Sequence, residues 1–260
     1  MDKLEDLFVR LEELNKIGAA LSSERDLDRL LEDILVAAKT ITRADGGTLY
    51  RVSEDRRSLR FEIMRTDSLG IALGGTTGRP LGFPPLPLYD GQGAPNNAMV
   101  AAYSALGQTT VNIPDAYSAE GFDFSGTRAF DSQTGYRSRS FLTVPMKNHE
   151  GEVIGVLQLI NALDPHSGAV LGFSESDRRL AESLASQAAV ALTNRQLIDQ
   201  LEALFESLIT LINNAIDEKS PYTGGHCARV PALAMRLAGA AHQTHTGPLP
   251  TLPKSAPDPY

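Results

Sequence analysis

The chain has 260 residues, 42% hydrophobic and 22% charged, which is ample for one or two domains with a real core and excludes wholesale disorder. Lys and Arg number 24 against 32 Asp and Glu; the formal charge of −8 argues against a broad footprint for nucleic acid or anionic lipid, yet allows a small anion in a local pocket. The single cysteine, Cys227, rules out a disulfide framework and a thiolate cluster built within one chain, and fits a reducing, cytoplasmic setting.

The N-terminal MDKLEDLFVRLEEL is acidic throughout, so no secretory signal is expected there. Leu4, Leu7, Leu11, Leu14 and Ile17 recur at three- and four-residue steps, which predicts an amphipathic, coiled-coil-like helix over residues 1–22 that pairs with something. Asp26 is a good N-cap for a second helix whose stripe of Leu27, Leu30, Leu31, Ile34, Ala38 and Ile41 reads as core. Two β-type runs, 47–53 and 58–66, joined by the polar EDRR, predict a hairpin. Seven Gly and five Pro between Gly70 and Pro95 predict a long irregular connection of the kind that often serves as a lid.

A short helix over 96–106 and a strand over 109–113 are expected next, then a turn-rich run, PDAYSAEGFDFSGTRAFDSQTGY. Strands over 138–146 and 152–161 follow. Alternation in the first places Ser138, Ser140, Leu142 and Val144 on one face with the core, and Arg137, Arg139 and Phe141 on the other. The most apolar stretch, Val153 to Leu163, is interrupted by Gln158 and Asn161 and is too short to span a bilayer, so no membrane partner is expected.

Ser174 caps the last large element, which runs free of Gly and Pro until Pro221. Within it Val190, Asn194, Leu197, Leu201, Leu204, Leu208 and Leu211 step by fours and threes, the seam of a heptad repeat. Asn194 falls at an a-type position, where a buried amide selects a two-stranded, in-register, parallel arrangement, so a parallel homodimer is expected. The whole pattern is that of an α+β protein: a central antiparallel sheet flanked by helices, with a long C-terminal coiled-coil helix.

This element order, and the words DLDRLLEDILVAAKTITRADGGTLYRV, VNIPDAY, FDSQTGYRSRSFLTVPM and GEVIGVLQLINAL, resemble GAF sensor domains over about residues 15–195. The FDxxTGYxxRSxLxVP word resembles the subset that binds cyclic nucleotides. That resemblance implies a small-molecule ligand of the cyclic-nucleotide kind. It assigns Asp131 to the base and the hydroxyls of Thr134 and Ser138 to the base or phosphate, with Asp67 and Ala101, the latter on the wall helix, completing the candidate set. The family's Asn-Lys and Phe-x3-Asp-Glu words stand here as Asn161-Ala162 and Phe173-SES-Asp177-Arg178, so the lysine of the supporting Lys-Asp bridge is absent. A bilin would need a thiol near the pocket, where Cys227 does not lie, and His149 and His166 sit in polar turns unsuited to a haem ligand.

Residues 207–249 resemble the opening of an HD-GYP phosphodiesterase domain through the word AI-x-x-K-x-x-Y-T-x-G-H-x-x-R-V. His226 takes the place of an early metal ligand, and Tyr222 stands where the trinuclear subset has a glutamate, which implies a two-metal parent. No His-Asp dipeptide and no GYP word follow, and the Pro-rich 250–260 is expected to be disordered. The expected layout is therefore an N-terminal helix (1–22), a GAF domain (23–178), a connecting heptad helix (179–215), partial HD-GYP helices (216–249) and a tail. No catalytic residue and no cofactor are expected in this chain, since divalent ions belong to a complete HD-GYP domain. The leading functional reading is a sensor coupled through a dimeric helix to that incomplete output. Its alternatives are an active metal-dependent phosphodiesterase or phosphohydrolase and a ligand-free GAF dimerisation module.

Overall fold

In the computed structural model, which describes residues 3–219 and 226–243, the chain begins with two helices, α1 (Lys3–Ser23) and α2 (Leu27–Thr42). Asp26 does cap α2, its carboxylate accepting the Arg29 N–H at 2.8 Å, and Arg43 ends the helix in the left-handed region. The strands are β1 (Ala44–Val52), β2 (Ser58–Thr66), β3 (Ile71–Gly74), β4 (Leu86–Pro87), β5 (Val111–Ile113), β6 (Phe141–Lys147), β7 (Val153–Leu163) and β8 (Val170–Leu171). Helix α3 (Val100–Gly107) precedes β5, and α4 (Ser125–Thr134) follows it. After β8 come α5 (Glu175–Lys219) and α6 (His226–Gln243).

One antiparallel sheet runs β3-β2-β1-β7-β6-β5, with β4 also pairing β2 and β8 also pairing β7. Adjacent β1 and β7 form the centre of the sheet, Leu49 opposite Leu157 and Tyr50 opposite Val156. Strand alternation divides these side chains between two cores. Leu49, Ile63, Leu142, Val144, Leu157 and Leu159 join the buried stripes of α1, α2 and α5 on one side. Tyr50, Val156 and Phe141 face the other side, where α3 and the segments around it pack. Of the helix expected as a coiled-coil-like arm, Leu14 and Leu21 are buried in the first of these cores, while Phe8, Val9 and Leu11 stay exposed.

Three expectations are corrected. The turn-rich run contains a helix, α4, because Ser125 to Thr134 lack Gly and Pro apart from Gly126 and close on Gly135, whose φ of 71° supplies the left-handed C-cap. The strand expected from 138 starts at Phe141; Ser138 precedes it in irregular backbone and turns to the side opposite Leu142, so simple alternation fails there. The irregular connection from Gly70 to Pro95 holds two short strands, β3 and β4, that lengthen the sheet beside β2.

The described residues divide into two compact units, the first ending at Gln196 and the second beginning at Leu197. In the first, α5 is anchored by a capping box: Ser174 N–H and Oγ donate to the Asp177 carboxylate at 2.8 and 2.7 Å, and Asp177 N–H donates back to Ser174 Oγ at 3.2 Å. Leu180, Leu184, Ala188 and Leu192 then bury against the core. In the second unit Leu201, Leu204, Leu208 and Leu211 are all more than half exposed. Tyr222 and the 250–260 tail lie outside the described residues, as do the side chains of His226 and His242. Among the described residues no helix is long and apolar enough to cross a membrane.

Candidate functional site

Between the sheet and helices α3 and α4 lies a cavity of about 300 Å³, the size at which a small organic ligand is largely enclosed. Aromatic side chains stand on several of its walls: Tyr50 and Phe61 from the sheet, Phe83 from the connection after β3, Phe124 and Phe130 from the α4 region, and Phe141 at the start of β6. Tyr50 and Phe61 lie 4.7 Å apart between ring centres, and Phe61 and Phe83 lie 5.3 Å apart, tilted by 53° and 41°, a continuous aromatic wall against which a flat heterocycle can pack. Among these rings stand a few polar groups, Thr48, Thr66, Ser138 and Gln158, able to fix orientation. Gln158 is itself held in place, accepting from the Tyr50 hydroxyl at 3.2 Å and donating to Thr143 Oγ1 at 3.2 Å.

Two helix starts reach this cavity. α4 begins beside Asp123, whose carboxylate accepts the Ser125 N–H at 2.8 Å and is held below the usual carboxylate range by that bond. α3 begins at Met99 with no side-chain cap, and its first residues, Val100 and Ala101, line the cavity. Uncapped N–H groups at a helix start carry partial positive charge and accept an anionic oxygen. Among the described lining residues there is no lysine or arginine and one carboxylate, Asp123, so this helix start is where the cavity can receive negative charge.

Behind the cavity a hydrogen-bonded network positions the wall. Tyr136, a lining residue, donates its hydroxyl to Asp45 at 2.6 Å and accepts from Asn161 Nδ2 at 2.9 Å. Burial, and then the Asp45 carboxylate, push the Tyr136 phenol far above its ordinary range, so it stays a donor. Asp45 also accepts from Ser68 N–H and Oγ. Asn161 adopts a φ of 58°, which asparagine tolerates, and its amide oxygen takes the N–H groups of Arg139 and Ser140 while Nδ2 also donates to Arg137 O. This strap sets the path of residues 136–140 along the cavity.

Of the candidate residues, Ser138 and Ala101 line the cavity. Asp131 lies buried behind it with its carboxylate satisfied by the protein: Tyr117 Oη at 2.7 Å, Ser138 N–H at 2.8 Å and Ser138 Oγ at 2.7 Å. It thereby ties the end of α4 to the segment entering β6. Thr134 is exposed on α4, its hydroxyl returned to Phe130 O at 2.8 Å. Asp67 lies elsewhere, ion-paired with Lys39 beside α2. Asp177, whose lysine partner is missing from the sequence word, pairs instead with buried Arg10 of α1, which also donates to Ile41 O at 2.6 Å. The Asp45–Tyr136–Asn161 strap escapes sequence reasoning; the one local signal is the pair of words TGY and LIN that hold two of its members. Among the described residues no group of three or more His, Cys, Asp or Glu comes together as a metal site.

The GAF domain profile matches residues 26–192. The chain belongs to the GAF family. The match ends within α5, at the last buried turn of the first unit. The GAF region is similar to dual 3′,5′-cyclic-AMP and -GMP phosphodiesterase 11A of Takifugu rubripes, 32% identical over 46% of this chain and 13% of the relative. It is similar as well to a cGMP-specific 3′,5′-cyclic phosphodiesterase of Drosophila mojavensis, 27% identical over 69% of this chain and 15% of the relative. The GAF chain thus matches only a small part of each of these longer proteins. Among solved structures, the GAF domain of an Acinetobacter phosphoenolpyruvate-protein phosphotransferase superposes with a TM-score of 0.51 at 17% identity, covering 76% of this chain and 98% of that one. A free methionine-R-sulfoxide reductase from Neisseria meningitidis gives 0.52 at 18% identity, covering 76% and 95%. At these identities they share the GAF fold and nothing narrower.

Proposed function

We propose that this GAF domain is the sensor of a signalling protein and that its cavity binds a cyclic nucleotide, purine against the aromatic wall and cyclic phosphate at the start of α3. The observation that carries this reading is the pairing, in one cavity, of an aromatic wall with an uncapped helix N-terminus. A purine gains from the former and a singly charged phosphate from the latter. Ser138 Oγ and Gln158 supply polar contacts for the base or ribose. The similarity to proteins named for cyclic AMP and cyclic GMP supports the same ligand class.

In this reading the module regulates and does not catalyse. Ligand held between sheet and α3 favours one arrangement of the sheet, and the first turns of α5, packed on the opposite face, carry that bias along the helix. The heptad leucines pair two chains in parallel, so a change of register or crossing angle reaches both outputs together. The HD-GYP-like segment after residue 207 is the output that receives it.

Thermal melts against cyclic AMP, cyclic GMP and cyclic dinucleotides test the ligand. One of them is expected to give a saturable rise in Tm, and Ala101→Phe, which fills the cavity beside α3, is expected to abolish it. No shift anywhere in the panel defeats the reading.

A further inference from the structure

We propose that a hollow beside the end of α2 is a second ligand site, one that takes a small oxyanion, a phosphoryl or carboxylate group, in place of the Asp67 side chain. The hollow measures about 460 Å³ and shares no lining residue with the aromatic cavity. The two spaces lie on opposite faces of the sheet: Thr66 lines the cavity, whereas Arg65 and Asp67 line the hollow.

Its lining is cationic where the cavity's is not. Lys39, Arg43 and Arg65 stand around it with Asp67 and Asp164. Lys39 is the centre of the argument. Its side chain is only 7% exposed, and the carboxylate paired with it, Asp67, is 75% exposed. A buried ammonium needs counter-charge, but an exposed carboxylate gives a weak, screened pairing that dissolved anions can contest.

The surrounding groups leave that exchange open. Asp164 Oδ1 accepts from His166 N–H, Ser167 N–H and Ser167 Oγ, and is committed to its own turn. Arg65 is fixed by Glu32 Oε1 at 2.8 Å and Leu73 O at 2.8 Å, so it adds charge from a rigid position. Arg43 pairs with Asp6 through NH2 and keeps a third of its side chain in solvent. The final carbonyls of α2, which would repel an anion, are covered by the Arg43 backbone N–H, bonded to Lys39 O and Thr40 O. A free oxyanion presents to Lys39 the same oxygens that Asp67 does, with Arg43 and Arg65 in the lining of the same hollow.

The full chain is titrated at constant ionic strength with inorganic phosphate and, separately, succinate, with chloride as the reference, and Tm is followed. Phosphate or succinate is expected to raise Tm saturably where chloride does not, and whichever saturates at lower concentration names the group preferred. Asp67→Asn removes the internal competitor and is expected to lower the half-saturating concentration by about tenfold. Lys39→Gln is expected to abolish the response. If that variant does not fold, Arg43→Gln, a substitution of a partly exposed side chain, is expected to weaken it severalfold. A flat response in both the parent chain and Asp67→Asn overturns the proposal, as does a response unchanged in Lys39→Gln or Arg43→Gln. Neither probe contains a base, so this failure is separate from failure of the cyclic-nucleotide reading.

Discussion

Asp131 shows how one residue type serves two purposes at the same place in a sequence word. Its carboxylate accepts three donors from Tyr117 and Ser138, and truncation would leave the buried Ser138 N–H without a partner. Asp131→Ala is expected to cost about 1–3 kcal/mol in urea unfolding. Glu32 gives a pH-dependent counterpart. Hydrogen bonds from Arg65 and then Thr76 hold its pKa below the ordinary 4.5. A carboxylate that binds protons more weakly when folded stabilises the fold above its unfolded pKa, and that contribution fades as pH falls through the folded value. Between about pH 5 and pH 2, Tm of the parent chain is expected to fall more steeply than that of Glu32→Gln.

At the scale of elements, α1 is held to α5 by the Arg10–Asp177 pair, in which both side chains are nearly buried. Removing one partner strands a charge, so Arg10→Ala is expected to lose about 3–5 kcal/mol, read by chemical denaturation, while the double replacement Arg10→Met with Asp177→Leu recovers much of it. Asp177 also caps its own helix through Ser174, so a residual loss in the double variant reports the cap together with the Arg10–Ile41 O bond. Helices α2 and α5 are legible in the sequence because cap and stripe agree in each. Helix α4 is not: its Ser, Thr, Asp and Gly residues have weak local preference, and its place is fixed by Phe124 packing against Phe141 at 5.4 Å and by Asp131 gripping Ser138.

For the whole molecule, the question is what covers the leucines of α5. Leu201, Leu204 and Leu208 are between 51% and 67% exposed in a single chain, more apolar surface in one row than a lone helix sustains in water. The parent chain is expected to sediment at twice its monomer mass, and Leu201→Glu with Leu208→Glu is expected to sediment as a monomer with reduced helical circular dichroism. A monomeric parent chain would remove the dimer from the proposed signalling route. The ligand cavity lies wholly in the first unit, so its binding is expected to survive in the double glutamate variant while transmission fails.

Periodicity and end signals, which act over a few residues, are enough to place the central strands, the capped helices and the leucine spacing of α5, while the GAF fold is legible through the resemblance of its sequence words. The site is another matter. The cavity joins Phe61, Phe83, Ala101 and Phe141 from separated segments, and Asp67, three residues from Met64 of its wall, ends on the other face of the sheet. Strand alternation, the break before β6 and the long-range hydrogen bonds of Asp45 and Asn161 decide which hydroxyl lines the cavity and which carboxylate is consumed inside the protein, because those choices depend on partners remote in sequence.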